Sequence, residues 1–265
     1  EFHMKALRTL TILFALALMC LHAPSAAAAE KPFKLDICAM PEHESFIFWY
    51  AKEQGWDKDE GLDFQIHFFQ TGMDQLEALP AKQWVVGGTG TVPILVGALR
   101  YNTYLIGIAN DESWVNAVTV RPDNPALKVK GWNPEYPNLL GSPETVKGKT
   151  FLVTTVSSAH YALSSWLNVL GLKDSDVVIK NMDQAQAVGA FENNIGDGVA
   201  LWAPHLFLAM DKGGVLAADL KMCKKGNPIV LIADAKYANA HPEITAKFLG
   251  IYLRAVNMLQ KESAR

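Results

Sequence analysis

The sequence predicts an α/β fold of parallel strands covered by helices, laid out in two successive series. From Lys34 onward, short apolar strands alternate with amphipathic helical stretches, the signature of a parallel sheet with helices on its faces. Leu62, Phe64, Ile66 and Phe68 alternate with Asp63, Gln65 and His67, the period of two that marks a half-buried strand. Over residues 110–143 the pattern loosens around Pro122, Pro125, Pro134, Pro137 and Pro143 before it resumes. Such a composition shift predicts a passage between domains near its start.

The first series opens with a strand over 34–40 and a helix over 46–54 that Gly55 ends. The strand 62–68 follows, then a helix around 74–79, a strand at 84–88, a helix at 92–100 and a strand at 104–109. In the second series 150–154 is a strand. Ala159, Ala162, Leu163, Trp166, Leu167 and Leu170 then fall at helical spacing before Gly171 closes the helix. A strand at 177–179, a helix at 184–193, a strand at 199–202 and a helix at 206–212 come next, and 229–233 reads as a returning strand. His241-Pro242-Glu243 opens a last helix, with proline in the first turn, where its missing N–H costs no hydrogen bond.

Half of the 265 residues are hydrophobic and 19% are charged, with a formal net charge of -3. That excludes a disordered, collagen-like or disulfide-stapled chain. No run of Lys and Arg offers a grip on polyphosphate, so nucleic acid is not an expected partner. Residues 1–29 read as a vector scar, Glu1-Phe2-His3, followed by a secretory signal. Lys5 and Arg8 form its positive region, residues 10–21 its apolar core, and cleavage is expected after Ala29. The core falls short of the roughly 20 residues that span a bilayer, so the expected product is exported and soluble. Cys20 lies inside the signal, and Cys38 and Cys223 are read as unpaired thiols.

Several enzyme motifs are missing. The glycine-rich turn over 86–93 has Pro93 where a dinucleotide fingerprint needs its third glycine, and Gly148-Lys149-Thr150 lacks the first glycine of a phosphate-binding loop. The sequence holds no G-x-S-x-G elbow and no H-E-x-x-H helix, and His43, His67, His160, His205 and His241 show no metal-ligand spacing. Nothing here argues for an enzyme, a cofactor or a metal.

What remains is a set of strand-to-helix turns rich in hydroxyls and glycine, where open α/β sheets bind ligands. Helix N-termini offer unpaired N–H groups and the positive end of the dipole. The candidate anion cradles are therefore Thr89, Gly90 and Thr91, and Ser157, Ser158, Ala159 and His160. His43 and Glu44 in the first turn, Thr71 in the second, Glu112 after the fourth strand and Trp202 as an aromatic wall complete the candidate set. Each has a plainer role open to it: Ser157 or Ser158 as a helix cap, Trp202 as core, and His43, Glu44, Thr71, Glu112 and His160 as solvated side chains.

Several collinear segments carry a family resemblance. Ala51-Lys52-Glu53-Gln54-Gly55-Trp56 with Glu60-Gly61-Leu62-Asp63, Gly87-Gly88-Thr89-Gly90, Val146-Lys147-Gly148-Lys149, Ser157-Ser158-Ala159-His160-Tyr161, Ala190-Phe191-Glu192, and Leu201-Trp202-Ala203-Pro204 stand in family order. Together they resemble the periplasmic substrate-binding proteins of ABC importers, specifically the nitrate, sulfonate and taurine group. The resemblance implies the two-lobed type II fold, with 30–113 as the first part of lobe 1, 114–222 as lobe 2 and 223–265 as the return to lobe 1. It implies a ligand cleft that closes by hinge motion, a small organic anion as ligand, an ABC permease as partner, a periplasmic location and a monomer. Ala203 stands where many relatives carry Asp, a residue suited to a ligand ammonium, so amino-sulfonates are disfavoured unless Glu44 or Glu112 substitutes. Relatives also continue for several more helices, so the chain is expected to be shortened at its C-terminus. The runner-up is a pyrimidine or thiamine-precursor binder whose ligand stacks on Trp49, Trp114 or Trp202. A pyrimidine-forming enzyme of the same fold ranks third, because its cysteine-rich motif is absent.

Overall fold

A computed structural model describes residues 31–263, and the expected signal segment lies outside them. The chain forms two five-stranded sheets. The first joins β1 (Phe33–Ala39), β2 (Leu62–Phe68), β3 (Val86–Thr89), β4 (Thr103–Asp111) and β10 (Pro228–Asp234) in the order β2-β1-β3-β10-β4. The second joins β5 (Asn116–Val120), β6 (Thr150–Val153), β7 (Val178–Asn181), β8 (Gly198–Trp202) and β9 (Val215–Asp219) in the order β7-β6-β8-β5-β9. Among the described residues no helix is long and apolar enough to cross a membrane.

The sheets depart from the all-parallel expectation in one respect each. β1 pairs in parallel with β2 and β3, and β6 with β7 and β8, but β10 runs antiparallel to its neighbours β3 and β4, and β5 to β8 and β9. β5 and β10 are the strands on which the chain arrives from the other sheet. Their direction is set by that arrival and not by the helical crossover that keeps consecutive strands parallel. β5 also corrects the reading of 110–143 as loose throughout. All five of its residues are buried, so it shows no in-and-out alternation, and its pattern merges with the loop that follows. β9 is a second strand the sequence reading lacked, a run of small apolar residues after Gly213-Gly214.

Each sheet carries its own core. Phe48, Phe64 and Phe248 pack with Leu35 and Ile37 on the first, where the ring centroids of Phe48 and Phe248 are 5.5 Å apart. On the second, Trp166 and Phe151 meet edge to face at 5.7 Å, packed with Val118 and Leu163. Cys38 and Cys223 are both buried and free. Asp111 ties the two crossings together. Its Oδ1 accepts from the Ser113 N–H at 3.0 Å and the Asn227 N–H at 3.4 Å, and the Glu112 N–H donates to the Asn227 carbonyl at 2.9 Å.

Candidate functional site

The C-terminal ends of the parallel strands converge on one small cavity. After β1 the chain turns through Met40 and Glu42 into the helix His43–Glu53, which brings Glu44 to the cavity. β3 leads through Gly90 into the helix Thr91–Arg100, and β6 leads through Ser157 into the helix Ser158–Val169. Trp202 ends β8, Glu112 comes from the first crossing and Asn116 opens β5. The cavity measures about 20 Å³, and a single water needs roughly 10–15 Å³, so the two sheets' turns stand nearly in contact. A Cβ added at Gly90 would lie 2.8 Å from Ser158 Oγ. A more open apolar hollow of about 390 Å³ lies beside His43, lined by Val115, Ala203, Pro204 and Phe207.

The fold gathers half of the sequence-predicted residues. Glu44, Gly90, Glu112, Ser157, Ser158 and Trp202 line the cavity. Thr89 is buried just behind it, with its hydroxyl unpartnered. Thr91 donates its hydroxyl to the Pro228 carbonyl, and Ala159 is wholly buried in the second core. Thr71 caps the helix Gly72–Ala78, accepting from the Asp74 N–H at 3.1 Å. The His160 ring is held away from the cavity, its Nε2 3.1 Å from Asp174 Oδ2 and its Nδ1 accepting from the Val156 N–H at 3.3 Å. Ser157 takes the cap role, accepting from the His160 N–H at 3.2 Å. Glu42 and Asn116 also line the cavity and were absent from the sequence reading. Glu42 stands beside Glu44 in the first turn, where a local signal existed, but Asn116 sits in the strand that the pattern concealed.

Two chemistries meet at this cavity. Gly90 caps its helix without any side-chain cap bond, and because Pro93 carries no N–H the first-turn donors it leaves for an anion are those of Thr91 and Val92. Ser158 adds a hydroxyl from the other sheet. Opposite them stands an acidic cluster. His43 Nε2 lies 2.6 Å from Glu112 Oε1, and Glu112 Oε2 accepts from Asn116 Nδ2 at 3.0 Å. Glu44 Oε2 and Asn116 Oδ1 are buried without a partner.

Two of these carboxyls, Glu42 and Glu44, are pushed toward the protonated form. Protein encloses Glu42 closely enough that loss of water raises its pKa to about 8; the neighbouring Glu44 carboxyl and Trp202 indole pull it down and the Glu112 charge pushes it up. Burial also lifts Glu44 well above the usual carboxylate range, assisted by the charges of Glu42 and Glu112. The Glu112 carboxylate raises His43, against a smaller opposing effect of burial. The cluster thus sets His43 against Glu112 beside Glu42 and Glu44, two carboxyls that burial and their neighbours push toward the neutral form. The ligating atoms of His43, Glu44 and Glu112 all lie within 4.8 Å of one another, a grouping able to take a metal ion.

The NMT1-like family matches residues 28–265. A Brachyspira hyodysenteriae protein provisionally assigned as an ABC transporter periplasmic binding protein is 27% identical over 86% of this chain and 66% of its own length. The taurine-binding periplasmic protein of Escherichia coli is 25% identical over 72% of this chain and 56% of its own. The chain thus spans less than two thirds of the length of these relatives. Among solved structures, the alkanesulfonate-binding protein of Xanthomonas axonopodis pv. citri bound to MOPS superposes with a TM-score of 0.71 at 21% identity, covering 88% of this chain and 76% of that one. The periplasmic aliphatic sulphonate binding protein of Escherichia coli gives 0.69 at 22% identity, with the same coverage. The fold is that of the two-lobed periplasmic binding proteins.

Proposed function

As the chain belongs to the NMT1-like family, we propose that it is an extracytoplasmic solute-binding protein that captures a small organic anion between its lobes and delivers it to an ABC permease. The role is capture and release, with no chemistry done on the ligand. One observation carries this reading: the uncapped helix N-terminus at Gly90 faces the Ser158 hydroxyl from the other lobe across a shared cavity. N–H and hydroxyl donors from both lobes can hold a sulfonate or carboxylate head without a full counter-charge, which favours capture with later release. The apolar hollow beside His43 offers a place for the ligand's organic tail. A ligand with an ammonium is disfavoured by Ala203 unless Glu44 or Glu112, both on the cavity lining, substitutes for the missing acid.

The pyrimidine reading ranks second, supported by Trp202 and by carboxyls able to accept from ring amino groups. Trp49 and Trp114 lie outside the cavity lining and are exposed. A thermal-shift panel of alkyl sulfonates, taurine, nitrate, small carboxylates and pyrimidines separates the two. Stabilisation by sulfonates or carboxylates supports the anion reading, and stabilisation by pyrimidines alone replaces it with the second.

A further inference from the structure

We propose that His43, Glu44 and Glu112 form a binding site for one divalent transition-metal ion at the edge of the cavity. No motif announces it. His43 and Glu44 are adjacent at the start of one helix, and Glu112 arrives from the crossing between the sheets, so only folding assembles the set.

Three features support the assignment. The imidazole nitrogen and two carboxylate oxygens lie within 4.8 Å of one another. Bonds of roughly 2.0–2.2 Å would bring such atoms to about 3–4 Å apart, a side-chain adjustment of around 1 Å or less. An imidazole with two carboxylates suits zinc, manganese, iron or nickel better than calcium or magnesium, and leaves coordination positions open.

The ligating groups are also held from behind. Glu112 is one of them, its Oε2 gripped by the Asn116 amide at 3.0 Å. Such outer contacts are what fix metal ligands in place.

The third feature is independent of the acidic grouping. Asn116, with 0% of its surface exposed, lines the cavity with its amide nitrogen committed to Glu112 and its Oδ1 unpartnered. Buried acceptors of this kind ordinarily have a donor or a cation. Among the described residues no lysine or arginine lines the cavity to serve.

Imidazole and carboxylate ligands bind a metal in their deprotonated forms, so occupancy of such a site depends on pH. The open positions would face the cavity and present positive charge to an anionic head group. That last consequence rests on the proposed function; the metal site does not.

The test uses the chain stripped with EDTA, dialysed, and titrated with Zn²⁺ alone against a competing chelator, with bound metal counted per chain. One ion per chain is expected. His43→Ala and Glu112→Gln should each weaken it at least tenfold with circular dichroism unchanged, His43→Gln serving if the alanine variant misfolds. His241→Ala, at a surface histidine beside Glu243, should leave it unaltered. Absence of stoichiometric binding, or binding indifferent to the cavity variants, overturns the site. Ethanesulfonate is then titrated with and without Zn²⁺. Equal affinity in both removes the metal from the anion receptor while leaving the proposed function standing. Stoichiometric zinc with no organic anion bound under either condition leaves the metal site standing and sinks the proposed function.

Discussion

Gly90 and Ser158 approach from different sheets so closely that a Cβ at position 90 would stand 2.8 Å from the serine hydroxyl oxygen, and one of the two would have to move. Gly90 has φ -70 and ψ 160, which any residue can adopt. The demand for glycine at this position comes from the approach across the cavity, not from the backbone.

Gly90→Val should therefore spare stability and impair closure. We expect unfolding free energy to fall by no more than about 1 kcal/mol, the loss of a favoured N-cap residue, and ethanesulfonate affinity to fall by about tenfold or more. Urea denaturation and isothermal titration calorimetry measure the two effects separately.

Ser158 and His160 should part company. Ser158→Ala removes a cavity hydroxyl, a loss of about 0.5–1.5 kcal/mol or roughly two- to tenfold in affinity. His160→Ala should leave affinity unchanged, because its ring is occupied by Asp174 and the Val156 N–H. Equal loss in both variants would return His160 to the ligand.

Stability should fall as pH rises. Glu42 is held up to about 8 from an ordinary 4.5, so between those values the folded chain keeps a proton that the unfolded chain has released. The stabilising effect of that proton is complete below about pH 4.5 and lost as pH climbs through about 8. The raised Glu44 acts in the same direction. Melting temperature should decline from about pH 5 to 8, and Glu42→Gln should flatten the slope; a parent profile that rises over this range would refute the assignment.

Trp166 should be the costliest single truncation in the second core. It is fully buried, stacks edge to face on Phe151, and donates its indole N–H to the Leu140 carbonyl at 2.8 Å. Trp166→Ala should cost about 3–5 kcal/mol in chemical denaturation, while Trp166→Phe should lose about 1–3 kcal/mol, mostly the stranded carbonyl.

The parts of the fold that repeat locally were legible in the sequence. Leu62 to Phe68 alternates because β2 has one face on the core, and the Ala159 to Leu170 spacing shows because that helix buries one side. β5 was not legible, since both of its faces are covered and Asn116 to Val120 carries no alternation. The antiparallel course of β10 depends on where the chain re-enters the first sheet, which no local pattern records. At the site, Gly90, Ser157 and Ser158 could be read from turn chemistry. The meeting of His43 with Glu112 could not, because 2.6 Å of space separates residues far apart in sequence. His160 misled for the opposite reason: it sits in the right turn, but Asp174, 14 residues on, takes its ring away.

The most direct test of the central claim is a comparison of thermal stabilisation by small organic anions in the parent chain and in Gly90→Val. At about 100 times its dissociation constant a ligand stabilises the folded state by roughly 2.7 kcal/mol, a shift of about 5–10 °C for a chain of this size. The account predicts such a shift for at least one sulfonate or carboxylate in the parent, sharply reduced in Gly90→Val. No shift with any of these anions, or a shift of equal size in the variant, would contradict capture between Gly90 and Ser158.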